Sequence, residues 1–481
     1  MTVPEDTACV IFSNGQEEAE RQIKQICTRL LSGWADLRPS DMQISRISGG
    51  ISNLLVKVDP PAPLPAVAVK VFGDKTELLI DREAEKGLLL KLNAACFGAP
   101  VVGLFNNGRI ERFLTAKTLT PEEMSDPRFV PHIARRLRAF HDLQIDDAVI
   151  DGGAAAAAAA AISPRTNNHP TTSNQCPNEN TPGASSASMA PPGGCLDSVA
   201  QPPSQWDTIF SWLEMAQGLS FVHDPAKQSA YDKVDFRAMR TELKTLREKC
   251  RRVGSPRVLC HNDLLSGNIL VVQSEGAAHE AAANGRSTAG KGEGGHGSTC
   301  DGLGAGGSVE EGGSAAGTTG AVRTLDEQVL AGGKLQFIDF EYSCYGPRGF
   351  DWGNHFNEYA GFDCVYDRFP SSAQQKAFFR HYLKPGELQQ LAKKHISMQE
   401  GRSETDNAAE VEEAVLDRLV AEACVFALVS HAYWGVWSFI QARYSPIDFD
   451  YLEYSGMRWA EYYRRRDEFF ALVDKLFPAS H

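Results

Sequence analysis

Two short segments decide the fold of this chain: HNDLLSGN at residues 261–268 and IDFEY at residues 338–342. Asp263 and Asn268 lie in the first segment, and Asp339 lies in the second. A lone aspartate at a strand end is usually a cap or a turn residue. An H-x-D-x-x-x-x-N pattern followed by an aspartate that ends an apolar run is much more specific. These three side chains are therefore the first candidates for a functional site.

Each segment adjoins a short apolar run, at residues 269–272 and 335–338. Runs of this length favour buried strands, and we predict that the two pair as a β-hairpin. The sequence between them, residues 274–333, is dominated by Gly, Ala, Ser and Glu, and a second stretch at residues 151–203 is equally poor in large apolar residues. Neither stretch can bury enough apolar surface to offset the entropy of ordering. We predict two disordered insertions, which loop-closure entropy tolerates because it grows only logarithmically with length.

The rest of the chain changes character near residue 115. Before it, strand-like runs are predicted at residues 44–47, 54–58, 67–72, 101–105 and 109–114, and helices at residues 17–34 and 81–92. The NNG turn at residues 106–108 predicts a hairpin. After it, helical spacing is predicted at residues 132–141, 206–219 and 235–252 and over most of residues 372–477. The sequence thus predicts an α+β fold with a β-rich N-lobe (residues 1–115) and a mainly helical C-lobe (residues 116–481).

Composition narrows the class of protein. The 481 residues are 42% hydrophobic, and the formal net charge is -13 with no basic stripe, so we expect no nucleic-acid partner. The eleven cysteines contain no C-x-x-C pair and are best explained as reduced thiols. The N-terminus does not resemble a signal peptide. We find no apolar run of about 18 residues. We expect a cytoplasmic protein without a transmembrane segment.

Phosphoryl transfer from ATP explains the residue types in the two segments. Such a site must align an acceptor hydroxyl and neutralise phosphate charge with Mg²⁺ and a cationic side chain. We predict that Asp263 takes the hydroxyl proton, that Asn268 and Asp339 bind Mg²⁺, and that His261 orients the loop backbone. A small-molecule kinase is the function that this spacing favours.

The turn ISGGISN offers a cradle for the phosphates. Gly49 and Gly50 let backbone N–H groups approach a phosphate, and Ser52 and Asn53 add side-chain donors. The alternative is an ordinary hairpin turn, because the turn is neither a Walker loop nor the glycine-rich loop of protein kinases.

Lys70 is the candidate phosphate-binding cation. It lies in the apolar run VAVKVF, where an unpaired ammonium group is costly, so we predict a partner on the next helix. Glu85 is the first choice and Glu83 the second. A solvated lysine on an exposed strand is the alternative.

Longer segments resemble one family. GGISNLL, HNDLLSGNIL, IDFEYSCYGPRGFDWGNHFNEYAG and SHAYWGVWSFIQARYSPIDFDYLEY are similar to the choline/ethanolamine kinase family. The resemblance covers nearly all of the chain outside the insertions. It implies the bilobal fold of protein kinases and transfer of the γ-phosphate of ATP, with Mg²⁺, to choline or ethanolamine.

The resemblance also implies roles for individual residues. Asp263 corresponds to the catalytic base, Lys70 and Glu85 to the phosphate-binding pair, and the backbone at residues 111–114, including Arg112 and Leu114, to the hinge that meets adenine. The acidic and aromatic substrate pocket corresponds to Tyr342, Glu358, Trp434, Trp437 and Tyr454. Aromatic faces attract an alkylammonium group. Spacing alone would place the two tryptophans in an ordinary core.

The choice of acceptor depends on smaller features. HNDLL and NEYAG resemble the ethanolamine kinase branch, and Ala360 and Gly361 remove bulk beside the predicted pocket. Choline kinase, or an enzyme with dual specificity, is the alternative, and a pseudokinase that binds without catalysis is a third. Trp352 departs from the small aliphatic residue that is usual in the family, and we expect an effect on packing only. The resemblance allows a homodimer.

Overall fold

The computed structural model describes residues 3–11, 15–47, 53–73, 76–145, 205–272, 334–397 and 407–479. Both predicted insertions, at residues 151–203 and 274–333, lie outside the described residues. The predicted phosphate-binding residues Gly49, Gly50 and Ser52 also lie outside them, whereas Asn53 begins a described strand.

A six-stranded sheet forms the N-terminal part. Its strands are β1 (Glu5–Asp6), β2 (Gln43–Arg46), β3 (Asn53–Asp59), β4 (Val67–Phe72), β5 (Val101–Phe105) and β6 (Gly108–Arg112), and their order is β1-β5-β6-β4-β3-β2. All neighbours are antiparallel except β1 and β5. The hairpin predicted at the NNG turn is confirmed, because Phe105 pairs with Gly108.

Two helices accompany this sheet. Helix α1 (Gln16–Leu30) buries an apolar stripe that includes Ile23 and Ile26, and this stripe packs in one cluster with Val56 and Val69 of the sheet. The spacing of that stripe is the reason the segment is a surface helix. Helix α2 (Arg82–Ala94) begins where the Asp81 carboxylate accepts the backbone N–H of Ala84 at 2.8 Å, as an N-cap does.

Two small sheets follow. One contains β7 (Ala116–Thr118), β9 (Ile269–Val272) and β10 (Lys334–Phe337), and the other pairs β8 (Arg257–Cys260) with β11 (Cys344–Pro347). The predicted hairpin of β9 and β10 is confirmed: the strands are antiparallel, and Val272 pairs with Lys334. This pairing brings the two segments that decide the fold side by side.

The remaining described elements are helical, as the sequence predicts for the C-terminal part. They are α3 (Pro121–Ser125), α4 (Val130–His141), α5 (Gln205–Gln217), α6 (Pro225–Tyr231), α7 (Phe236–Val253), α8 (Arg348–Asn357), α9 (Ser372–Tyr382), α10 (Glu387–Ser397), α11 (Ala408–Tyr444) and α12 (Tyr451–Leu476). Short 3₁₀ helices lie at Pro39–Asp41, Thr76–Leu78, Ser266–Asn268, Glu358–Ala360 and Tyr366–Arg368.

Helix α11 is long and apolar enough, by length and composition, to cross a membrane, and it is the one such helix within the described ranges. No transmembrane segment is predicted from the sequence. The whole apolar window of α11 is buried inside the protein, with α8 and α12 as its main neighbours. A core helix surrounded by other elements needs this composition, so the window carries only weak support for a membrane span.

Candidate active site

The loop between β8 and β9 carries the predicted base. The side-chain amide of Asn268 donates to the backbone oxygen of Asp263 at 2.8 Å and to its carboxylate at 3.1 Å. The first bond fixes the backbone of Asp263 and the second fixes its carboxylate, both relative to Asn268 just before β9. They also turn the Asn268 amide nitrogen toward Asp263, which leaves the amide oxygen as the atom that can bind a metal ion.

A buried aspartate of α8 accepts two backbone hydrogen bonds from the same loop. The Asp351 carboxylate accepts the backbone N–H groups of His261 at 2.7 Å and Asn262 at 2.6 Å, and it contacts the ring of His141 at 2.9 Å. Burial would raise the pKa of Asp351, but its hydrogen bond with His141 and the further contacts lower it. The carboxylate therefore stays charged and fixes a loop in which Asn262 has a φ of 66°. Asp351 was not among the residues predicted from the sequence, although an aspartate inside the apolar segment GFDWGN indicates a buried charge with a partner.

Two histidines, His261 and His355, contact the backbone of the loop or of the strand beside it. His261 Nε2 lies 3.0 Å from the carbonyl oxygen of Ile338, and its Nδ1 accepts the backbone N–H of Asp263. His355 Nδ1 lies 3.1 Å from the carbonyl oxygen of Leu264. Burial lowers the pKa of each ring to about 4. His261 is therefore neutral near pH 7 and joins the Asp263 loop to the strand that leads to Asp339.

The metal-binding candidate Asp339 follows β10 with a φ of 65°, a conformation that is uncommon outside glycine. Its carboxylate lies 2.5 Å from Lys70 Nζ, and the next carboxylate along the chain, Glu341, lies 3.1 Å from the same atom. Lys70 is buried, and these two acidic partners raise its pKa although burial itself lowers it. The predicted need for a partner is confirmed, but the partners come from the C-terminal part.

The predicted pairing of Lys70 with Glu85 is wrong in this structure. Glu85 lies 2.5 Å from Arg109 and 2.6 Å from Arg82, and among the described residues no ion pair joins it to Lys70. The reason is sheet register. Arg109 on β6 is directly opposite Lys70 on β4, so two cations flank one carboxylate, and the guanidinium groups bind it. The second choice, Glu83, is exposed.

These acidic groups fit a divalent cation. Carboxylate oxygens of Glu85, Asp339 and Glu341 lie within 4.8 Å of one another, and hard oxygen ligands are those that Mg²⁺ prefers. The side chain of Glu341 is 4% exposed and also contacts Arg82 and Asn53. Glu341 was not among the predicted site residues, although it lies within the IDFEY segment.

The predicted adenine hinge connects β6 to β7. The backbone N–H of Arg112 donates to Pro100 at 2.8 Å, and that of Phe113 donates to Ala66 at 3.2 Å. Both donors are therefore used within the sheet. An adenine-binding role for Arg112 cannot use its N–H, which leaves the backbone around Leu114 as the better candidate of the two.

One pocket of about 290 Å³ collects most of the predicted catalytic and substrate residues. Asp263, Asn268 and Asp339 are among its lining residues. All five predicted substrate residues line it as well: Tyr342, Glu358, Trp434, Trp437 and Tyr454. The structure adds further aromatic side chains that the sequence analysis did not select: Phe362, Phe449 and Tyr451.

The aromatic wall of this pocket is fixed by hydrogen bonds and edge-to-face contacts. Trp437 Nε1 donates to the Tyr342 hydroxyl at 2.9 Å, and the Tyr342 ring meets the Trp434 ring at 5.2 Å and 81°. The two indoles are themselves 5.4 Å apart and nearly perpendicular. Rings in this arrangement present faces to a cation without a large entropy loss on binding.

Several carboxylates lie near the predicted base, Asp263. Burial raises the pKa of Asp263 well above its ordinary value, and the nearby carboxylates of Glu358, Asp339 and Glu341 raise it further. A carboxylate with a raised pKa holds a proton more strongly once it accepts one, as a general base must. Cations that enter the cleft would favour its charged form.

The sequence pattern of the choline/ethanolamine kinase family matches residues 44–463. This chain belongs to the choline/ethanolamine kinase family. The predicted family is thereby confirmed. Trp352, for which we expected an effect on packing only, is fully buried and packs edge-to-face on Phe379 at 4.8 Å and Tyr382 at 5.0 Å, outside the pocket lining.

Individual relatives agree. A probable ethanolamine kinase of Arabidopsis thaliana is 30% identical over 462 residues, which are 95% of this chain and 89% of that protein. A probable ethanolamine kinase A of Dictyostelium discoideum is 27% identical over 463 residues, 95% of each chain. The solved structure of a Plasmodium vivax ethanolamine kinase superposes with a TM-score of 0.60 at 24% identity, covering 93% of this chain and 89% of that one. The last comparison confirms the fold class.

Proposed function

We propose that this protein is an ethanolamine kinase that transfers the γ-phosphate of ATP to the hydroxyl group of ethanolamine. One observation carries the proposal: a base candidate, Asp263, and two metal-ligand candidates share a pocket with an acidic and aromatic wall. The first group suits phosphoryl transfer. The second suits a small organic cation whose other end carries a hydroxyl group. Membership of the family and the names of the relatives support the same activity.

The chain's own residues supply most of the chemistry. Asp263 aligns the acceptor hydroxyl and takes its proton while the oxygen bonds to the γ-phosphorus and ADP leaves. Asn268, Asp339 and Glu341 are the residues that would hold Mg²⁺, which when bound neutralises phosphate charge. Lys70 pairs with Asp339 and Glu341, and we assign it the role of the cation that contacts phosphate oxygens.

The preference for ethanolamine rests on two features. The relatives with the highest identities reported above are named ethanolamine kinases. Ala360 and Gly361 line a second pocket, which shares Glu358 and Phe362 with the first, so small residues lie on that side of Glu358. A quaternary ammonium group needs aromatic contact on all its methyl groups, whereas a primary ammonium group needs acceptors. Choline kinase remains the second candidate because the aromatic wall also fits a methylated cation.

Steady-state kinetics test the proposal. ATP-dependent phosphorylation of ethanolamine and of choline is measured in parallel with purified full-length protein and Mg²⁺. We expect a higher kcat/KM for ethanolamine. Equal or higher kcat/KM for choline would contradict the specificity, and phosphorylation of neither compound would contradict the activity.

A further inference from the structure

The carboxylate expected to bind the substrate's ammonium group already has a cationic partner. Glu358 Oε1 lies 3.0 Å from Arg458 Nη1, and both residues are buried, Arg458 almost completely at 1% exposure. The described residues donate no hydrogen bond to the other oxygen, Oε2. Arg458 was not among the predicted site residues, because only the packing of α12 against the pocket brings it to Glu358.

One guanidinium group holds several parts of the pocket wall. Arg458 Nη1 also lies 3.3 Å from the Tyr454 hydroxyl, and its Nη2 lies 2.9 Å from Ser430 Oγ. Ser430 donates at 2.8 Å to Asn354, whose side-chain oxygen also accepts the indole N–H of Trp434 at 2.8 Å. Three of the five predicted substrate side chains are therefore tied to one network.

The network fixes orientation as well as charge. A carboxylate with one oxygen held by a guanidinium group cannot rotate freely, so its second oxygen keeps a defined direction. Burial alone would lower the pKa of Arg458, but the neighbouring Tyr454, Tyr366 and Glu358 raise it, so the guanidinium group stays charged. Removal of the arginine would leave Glu358 buried without its cation.

We propose that Arg458 is a positioning residue that selects for a primary ammonium group by holding Glu358 with one oxygen directed to the substrate. This inference rests on the proposed ethanolamine kinase activity. Attraction between the carboxylate and a positive charge acts on ethanolamine and choline alike. A hydrogen bond to an oriented oxygen acts on ethanolamine alone, because the nitrogen of choline carries no hydrogen.

The experiment compares both substrates in Arg458→Met and Arg458→Lys variants of the full-length protein. Loss of the orientation should raise KM for ethanolamine about tenfold, the loss expected for one charge-assisted hydrogen bond, and change KM for choline less than about threefold. Arg458→Lys should restore part of the difference, since an ammonium group can still pair with Glu358. Arg464→Met on the same helix is the matched control, because Arg464 is half-exposed and pairs with Glu461, which is not in the pocket lining.

A purely structural role for Arg458 predicts a different result. The melting temperature and kcat would then fall while the ratio of the two KM values stayed at the wild-type value, and that outcome overturns the inference. If Arg458→Met does not fold, the ratio of the two KM values is measured in Arg458→Lys and Ser430→Ala instead. A wild-type ratio in both variants overturns the inference. If the wild-type protein phosphorylates ethanolamine but the ratio of the two KM values is unchanged in the variants, only the role of Arg458 is contradicted. Wild-type protein inactive on ethanolamine contradicts the proposed function itself.

Discussion

The carboxylate of Asp351 accepts the backbone N–H of Asn262 at 2.6 Å, one residue before the predicted base. Its other oxygen accepts the N–H of His261, so a single buried side chain of α8 sets the path of the loop. Positioning of this kind matters in catalysis, because a misplacement of about 1 Å can cost a factor of about 10² in rate. Asp351, which positions the loop of Asp263, is thus 88 residues away from Asp263 in the sequence.

Replacement of Asp351 by Asn should lower kcat by about 10- to 100-fold with little change in KM for ethanolamine. The amide has one acceptor oxygen where the carboxylate has two, so one backbone N–H loses its partner and the loop moves. Steady-state kinetics and thermal unfolding measure the two effects. Asp467→Asn on α12 is the control, since its side chain is 84% exposed. A variant with wild-type kcat would contradict the positioning role.

The stability of the protein should depend on the ionisation of His355. Burial lowers its pKa to about 4 from an ordinary value of 6.5, so between these values the unfolded state binds more protons than the folded state. The free energy of unfolding therefore loses up to about 3 kcal/mol from this residue as pH falls from 6.5 to 4. Urea unfolding at several pH values should show a shallower loss for His355→Asn, whose side-chain amide can still donate to Leu264. The same slope in both proteins would contradict the assignment.

The site residues that could be predicted from the sequence are those that lie close together along the chain. The loop at residues 261–268 and the strand before Asp339 each carry their chemistry within a few residues, and their apolar neighbours predict the hairpin that joins them. The intervening insertion does not hide this relation, because antiparallel pairing depends on the two apolar runs and not on the length between them.

The residues that sequence reasoning missed owe their position to packing between distant elements. Arg109 forms an ion pair with Glu85 because strand register places Arg109 opposite Lys70. This register cannot be predicted from residue spacing along the chain. Arg458 reaches Glu358 only because α12 lies against the pocket. Charged residues on helices are usually solvated, so their burial becomes visible only in three dimensions.

Removal of the charge of Glu341 should weaken the binding of Mg²⁺ that supports activity. Glu341 contacts Lys70 at 3.1 Å and Arg82 at 3.3 Å and lies beside Asp339, so Glu341→Gln removes one candidate ligand and loosens two cations. We expect the Mg²⁺ concentration for half-maximal activity to rise about 10- to 100-fold. Glu83→Gln, which removes the same charge from an exposed side chain of α2, should leave it unchanged. An equal response of the two variants would contradict a metal-binding role.

Replacement of Asp263 by Asn should abolish most turnover and leave nucleotide binding intact. The amide keeps the size of the side chain, and its position next to Asn268 can be retained, but it cannot accept the hydroxyl proton. General-base catalysis contributes about 10²–10⁴-fold, and kcat should fall by that factor. Titration calorimetry with ATP and Mg²⁺ should give a dissociation constant within about threefold of the wild type. Retained turnover would exclude Asp263 as the base.

Replacement of residues 273–333 by a short turn should leave kcat within about twofold of the wild type. Val272 pairs with Lys334 at the end of an antiparallel ladder, so the two chain ends are at the spacing that a two-residue turn such as Asn-Gly can close. The shorter connection also has a lower closure entropy cost, and thermal unfolding should show equal or higher stability. Replacement by a Gly-Ser linker of the original length is the control for chain length. Because β9 follows the loop of Asp263 and β10 leads to Asp339, a tenfold loss of kcat in both variants would show that the native sequence of the insertion contributes to the site.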